Sequence, residues 1–154
     1  MRILVVTSVR NEAPFLLEWL AHLKGAGATD FLIFSNDCED GTHQMLQYLH
    51  KAGVVVHIPQ TLDAGESPQW KALKTSWKHP LRKICDWALV CDVDEFVNIH
   101  VGDGTILDLL DAVPSNTEGI ILPWRLFGNN NIIAFDDKPV TKQFTSAMLP
   151  NCMY

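Results

Sequence analysis

Short apolar runs that alternate with amphipathic stretches constrain this 154-residue chain more than any other feature. Ile3-Leu4-Val5-Val6, Phe31-Leu32-Ile33-Phe34, Val54-Val55-Val56 with Ile58, and Trp87-Ala88-Leu89-Val90-Cys91 are each of strand length. None leaves a regular polar position, which is the pattern of strands covered on both faces. Between them, Phe15, Leu16, Trp19, Leu20 and Leu23 recur with helical spacing, with Pro14 at a first-turn position and Gly25 and Gly27 as stops. Met45, Leu46 and Leu49 form a second such face, capped by Asp40 or Thr42 and ended by Gly53. Gln69 to Trp77 is a third helical stretch, interrupted by Pro80, and Leu81 to Ile84 adds a short turn. Strands alternating with helices require crossover connections. The fold class expected is therefore α/β: a doubly wound, mostly parallel sheet with helices on both faces.

Beyond the Trp87 strand, Gly102-Asp103-Gly104 turns the chain and Ile106, Leu107, Leu109 and Leu110 build a short helix closed by Pro114. Gly119 to Leu122 is expected as a further strand. After Trp124 regularity fades, and Asn129-Asn130-Asn131 is a loop. Trp70 and Trp77, seven residues apart, suit a core or an interface better than a sugar platform.

Composition narrows the function classes. Hydrophobic residues at 47% and charged residues at 19% are those of an ordinary globular domain. A formal charge of -6 argues against nucleic-acid binding by phosphate neutralisation. The four cysteines (Cys38, Cys85, Cys91, Cys152) lack C-x-x-C spacing, and Cys85 and Cys91 read as small core residues. The N-terminal apolar run is too short for a signal peptide and no stretch reaches transmembrane length, so a cytoplasmic location is expected.

The chemistry is concentrated just after the Trp87 strand. Asp92, Asp94 and Glu95 place three carboxylates within four residues. Such a cluster is costly unless a cation neutralises it. In open α/β sheets the carboxyl ends of strands form the ligand crevice. The loops after the first and second strands carry Arg10-Asn11-Glu12 and Asn36-Asp37 to that same edge. They supply hydrogen-bonding groups for a base and ribose, while Asp92 and Asp94 supply hard oxygen ligands for Mn2+ or Mg2+. A cation bridging two phosphates makes a diphosphate a better leaving group.

In order and spacing these segments resemble a glycosyltransferase of the GT-A fold, family-2-like, in the branch related to family 92. The segments are Arg10-Asn11-Glu12, then Phe34-Ser35-Asn36-Asp37-Cys38-Glu39-Asp40-Gly41-Thr42, then Asp92-Val93-Asp94-Glu95-Phe96. Glu18-Trp19 with His22 is similar to that branch's E-W-x-x-H, and Trp124-Arg125-Leu126-Phe127-Gly128 to its W-x-x-F-G. The resemblance implies that Thr7, Arg10, Asn11, Glu12, Asn36 and Asp92 bind the nucleotide-sugar. It implies further that Asp92 and Asp94 hold the metal and that Trp124, Phe127 and Gly128 face the acceptor. Its expected reaction is metal-dependent transfer, by inversion, of a sugar from a nucleotide-diphosphate sugar donor, whose base (uridine and guanosine both fit) the sequence does not fix, to a glycan or other hydroxyl acceptor. Family members run beyond this length. Residues 1–154 are therefore expected to form a single nucleotide-sugar-binding domain lacking its C-terminal acceptor part, with no catalytic base named and a homo-oligomer compatible with the exposed apolar surface.

Two other readings accompany it. A non-catalytic nucleotide-binding module would share the donor residues. A haloacid-dehalogenase-type phosphohydrolase also ends an apolar strand in D-x-D, but on the first strand, and here Glu95-Phe96 follows the motif.

Overall fold

In a computed structural model, which describes residues 1–149, the chain divides into a first unit, Met1–Ala112, and a second that begins at Val113. The first unit contains the sheet. In chain order its elements are β1 (Ile3–Val9), α1 (Ala13–Gly25), β2 (Asp30–Ser35), α2 (Thr42–Lys51), β3 (Val56–Pro59), α3 (Pro68–Lys78), α4 (Pro80–Ile84), β4 (Trp87–Val90) and α5 (Ile106–Ala112).

The four strands are all parallel, in the order β3-β2-β1-β4. Val5 of β1 lies beside Phe31 of β2 and Leu89 of β4, which fixes the register through the middle of the sheet. Alternation along β1 then sorts the core into two layers. Ile3, Val5 and Val9 pack with Leu16, Trp19, Leu20 and Leu23 of α1, Leu46 of α2 and Ile106 of α5. Leu4 and Val6 pack on the other face with Leu32, Phe34 and Ala72 of α3. The sheet is covered on both sides, as the alternating pattern requires.

Helix α1 forms where the spacing predicts it. Leu16, Trp19, Leu20 and Leu23 are buried at i, i+3, i+4 and i+7, and Leu17 on the opposite face is exposed. Each such side chain contributes about 1.5–3 kcal/mol by leaving water. The helix has no side-chain N-cap of its own. The loop after β2 supplies one instead: Asp40 Oδ2 accepts from the Ala13 amide (3.0 Å) and Thr42 Oγ1 from the Glu12 amide (2.8 Å). Asp40 Oδ1 also accepts from the Thr42 amide, starting α2. Helix α5 starts on a reciprocal pair: the Thr105 amide donates to Asp108 Oδ2 (2.9 Å) and the Asp108 amide to Thr105 Oγ1 (3.2 Å).

Two expectations are corrected and a third is narrowed. The Trp87 strand is not buried on both faces: Ala88 and Val90 are exposed, because β4 is an edge strand that pairs, among the described residues, with β1 alone. Residues Gly119 to Leu122 form no strand; Ile121 is 92% exposed, and an apolar run without a ladder partner has nothing to hold it extended. For Trp70 and Trp77 the core alternative is removed and the interface one stays open: both are exposed, since Ala72 and Ser76 occupy the buried face of α3. The Arg82 guanidinium lies 3.9 Å over the Trp77 ring.

The second unit is mostly irregular, as the sequence predicts from Trp124 onward. It contains α6 (Val140–Gln143) and one antiparallel bridge between Phe127 and Ala147. Asn130 and Asn131 both adopt left-handed backbone conformations, which Asn tolerates. Among the described residues no helix is long and apolar enough to cross a membrane.

Candidate functional site

Strand β1 connects onward to β2 on one side and is flanked by β4 on the other, so the order of the sheet reverses between β1 and β4. A crevice opens at the carboxyl ends of strands at such a point. Here it is a cleft of about 460 Å³ lined by Ser8, Glu12, Ser67, Pro68, Gln69, Asp92, Val93 and Asp94. A second hollow of about 310 Å³, beyond the ends of β2 and β3, is lined by Ser35, Asn36, Asp37, Cys38, His43, Pro59, Gln60 and Thr61. The Gln60 side-chain amide donates to the Pro68 carbonyl oxygen (3.1 Å), joining the two linings.

The segment after β4 is shaped by alternating burial. Val93 is 4% exposed within the core, so the carboxylates on either side of it are turned outward. Asp92 is half-buried and Asp94 exposed. A turn closes behind them, with the Glu95 amide donating to the Asp92 carbonyl oxygen and the Asp92 amide to Glu95 Oε2, both at 3.0 Å.

Three carboxylates then share the cleft without counter-charge. Among the described residues, Glu12, Asp92 and Asp94 accept no side-chain hydrogen bond and form no ion pair. Burial raises the Glu12 pKa, and the charges of Asp94, Asp40 and Asp92 raise it further. Burial likewise raises that of Asp92, with Glu95 and Asp94 adding to it. Asp40 behaves in the opposite way: burial alone would raise its pKa, but hydrogen bonds from Thr42 and Ala13 bring it below the usual value. The cleft carboxylates lack such donors.

This donor set suits a hard divalent cation. It offers carboxylate oxygens, while the nearby Cys91 thiol is pushed up to about 12, chiefly by burial, and stays protonated. Among the described residues no group of three or more His, Cys, Asp or Glu is arranged to hold a metal by itself. Asp92 and Asp94 alone could hold Mn2+ or Mg2+ only if a ligand's oxygens completed the shell, since these cations take one or two carboxylates together with phosphate oxygens.

The other expected residues are distributed unevenly. Asn36 is 7% exposed, lines the second hollow and donates from Nδ2 to Asp37 Oδ2 (3.0 Å). Asn11 and Asp37 both have left-handed backbones, φ 59° and 48°, a conformation that Asn and Asp adopt more readily than other residues with a Cβ. Asn11 Oδ1 accepts from the Glu39 amide (2.8 Å), so its side chain braces one loop against the other. Arg10 is exposed. Thr7 is 3% exposed, and its hydroxyl is buried without a partner among the described residues. Its neighbour Ser8, on the opposite face of β1, is the residue that lines the cleft. Trp124, Phe127 and Gly128 belong to the second unit, where Trp124 and Phe127 are exposed and the Gly128 amide donates to the Ser146 carbonyl oxygen (2.9 Å).

Sequence reasoning missed Ser8, Ser67 and Gln69. The signal for Ser67 was a helix N-cap, since its hydroxyl accepts from the Trp70 amide (3.3 Å). That identifies the start of α3 but not the cleft into which it opens.

Comparison with known proteins bears on this arrangement. Residues 5–153 match the family described as Glycosyltransferase family 92. The chain belongs to that family. It is similar to a glycosyltransferase family 92 protein of Ricinus communis, 27% identical over 156 residues, covering 94% of this chain and 26% of the relative. A family 92 protein of Oryza sativa subsp. japonica is 28% identical over 109 residues, covering 69% of this chain and 18% of the relative. One of Arabidopsis thaliana is 28% identical over 97 residues, covering 60% and 16%. The chain thus spans about a quarter or less of the length of these family 92 relatives. No solved structure matches it significantly.

Proposed function

We propose that this family 92 chain forms the donor-binding part of a metal-dependent glycosyltransferase. The donor is a nucleoside-diphosphate sugar, and the acceptor is a hydroxyl group of a glycan or other molecule. One observation carries the reading: Glu12, Asp92 and Asp94 line a cleft at the reversal point of a parallel sheet with no cation among the described residues to balance them.

In this reading Asp92 and Asp94 hold Mn2+ or Mg2+, and Ser8 and Gln69 supply neutral donors to the diphosphate. Asn36 and Asp37, with Gln60, read the nucleoside from the second hollow. The buried Oε1 of Gln60 has no partner among the described residues and is available to a base N–H. The bound cation supplies neutralisation of the charge that develops on the departing diphosphate. Trp124 and Phe127 offer exposed aromatic faces suited to an acceptor sugar. The family expectation is inversion at the anomeric carbon.

The test is release of nucleoside diphosphate from UDP-glucose, UDP-galactose and GDP-mannose by the purified chain. Release that requires Mn2+ or Mg2+, stops with EDTA and is lost in Asp94→Ala is the expected result. Release that persists in excess EDTA would overturn the metal-dependent reading. Nucleotide binding without any release would make the chain a binding module.

A further inference from the structure

Helix α1 does more for the cleft than fill the core beneath it. Trp19 and His22, three residues apart and so on one face of α1, reach the carboxylate turn at its two ends. Trp19 is fully buried, with its ring edge-on to Phe31 at 6.2 Å. Its indole Nε1 faces the Cys91 thiol, a weak acceptor, and has no conventional hydrogen-bond partner among the described residues. His22 reaches the other end. Its Nε2 donates to the Val97 carbonyl oxygen at 2.7 Å, and its ring stands edge-on to Phe96 at 5.2 Å. A carbonyl oxygen only accepts, so the contact fixes the proton on Nε2.

Within the turn, the Cys91 thiol donates to the Glu95 carbonyl oxygen (3.2 Å) and Glu95 Oε2 accepts from the Asp92 amide (3.0 Å). These bonds fix the shape of the turn but do not attach it to the sheet. After Val97 the chain continues without regular structure until α5. The turn is attached at its start by the Cys91 amide, which donates to the Val6 carbonyl oxygen of β1 (3.4 Å), and by Cys91 against Trp19. Val93 sits in the core, Phe96 and Val97 pack against it, and at the far end the Val97 carbonyl is held by His22. Asp94 itself is exposed and accepts no hydrogen bond among the described residues, so its position depends wholly on how its backbone is held.

We propose that His22 is a positioning residue for the cation-binding carboxylates. By holding Val97 it keeps Asp94 at a fixed separation from Asp92, although it touches neither. The inference rests on the donor-site reading above. Loss of a group that orients metal ligands from behind lowers metal affinity about 10–100-fold. Because His22 acts through backbone, the lower end, about tenfold, is expected.

The experiment is a titration of the whole chain with Mn2+ in the presence of UDP, and separately of GDP, read by electron paramagnetic resonance of free Mn2+. It compares wild type, His22→Ala, His22→Phe, His22→Gln and Asp94→Ala, with thermal melts of each metal-free protein. His22→Phe keeps a ring against Phe96 but has no donor; His22→Gln restores a donor. Expected are loss of binding in Asp94→Ala, about tenfold weaker binding in the Ala and Phe variants, and recovery to within about threefold in His22→Gln. Binding lost in Asp94→Ala but unchanged in the Ala and Phe variants overturns the role of His22 and leaves the donor site standing. Failure of His22→Gln to recover binding while it melts like wild type also overturns it. Unchanged binding in Asp94→Ala removes the donor site, and the inference with it.

Discussion

Replacing Asp92 by Asn should stabilise the metal-free protein. The carboxylate is half-buried, accepts no hydrogen bond among the described residues, and its pKa is raised by burial and by the charges of Glu95 and Asp94. Asn has the same shape and no charge. Because the carboxylate is still partly exposed to solvent, each screened repulsion removed is worth only a few tenths of a kcal/mol to about 1 kcal/mol. Relief of the burial cost, the larger contribution, together with the two repulsions gives about 0.5–1.5 kcal/mol at neutral pH once solvent screening is allowed for. For a chain of this size that is a rise in melting temperature of about 1–6 °C.

The pH dependence has a definite sign. Asp92 titrates higher in the folded protein than in the unfolded chain, so between the two values the folded state binds more protons and stability falls as pH rises. Below the ordinary Asp value of about 3.9 both states are protonated, and the Asn variant loses its advantage. The gain should also shrink in 1 M salt, where the Debye length is about 3 Å. Bound Mn2+ with nucleotide should reverse the order, making wild type the more stable. Melting curves followed by circular dichroism at several pH values, with and without Mn2+ and UDP, read all of this. An Asn variant less stable than wild type at neutral pH without metal would refute the claim that this carboxylate lacks a partner.

Two further outcomes follow from the fold beneath the site. Trp19→Ala removes a fully buried ring and should cost about 3–5 kcal/mol in urea denaturation; a loss under about 1 kcal/mol would contradict the packing described for α1. His57 is pushed down to about 4 by burial and by the neighbouring His43 and His50, and its Nε2 lies 2.8 Å from the Ser35 hydroxyl. The unfolded chain therefore takes up a proton before the folded one does, and stability is lost as pH falls from about 6.5 toward about 4. His57→Gln keeps a polar partner for Ser35 and should flatten that limb of the stability profile; an unchanged slope would mean that another group titrates there.

The helices and inner strands were legible because their pattern is local. Leu16, Trp19, Leu20 and Leu23 state the buried face of α1 without reference to anything else in the chain. Ile3 to Val6 and Phe31 to Phe34 likewise read as covered strands, and their burial agrees. What sequence could not supply was neighbourhood. The run from Trp87 to Val90 is as apolar as β2, yet β4 is an edge strand, since the place of a strand in a sheet depends on its pairing partners. Thr7 and Ser8 differ only by the alternation of β1, and one residue of register decides which of them meets the cleft. Asp92 and Asp94 stood out because three carboxylates after an apolar run are anomalous on their own. Ser67 and Gln69 reach the same cleft from α3, more than 20 residues earlier, and nothing local marks them. The bond from His22 to Val97 spans 75 residues and is visible only once α1 is seen packed behind the turn.

The central claim is that Asp92 and Asp94 bind a divalent cation that in turn holds a nucleoside diphosphate. Isothermal titration calorimetry of the chain with UDP, and separately with GDP, with Mn2+ and with EDTA, tests it most directly. At least one of the two nucleotides should bind with Mn2+ present, with no heat of binding in EDTA and none for Asp94→Ala under either condition. Binding of equal affinity in EDTA, or Mn2+-dependent binding that survives Asp94→Ala, would contradict it.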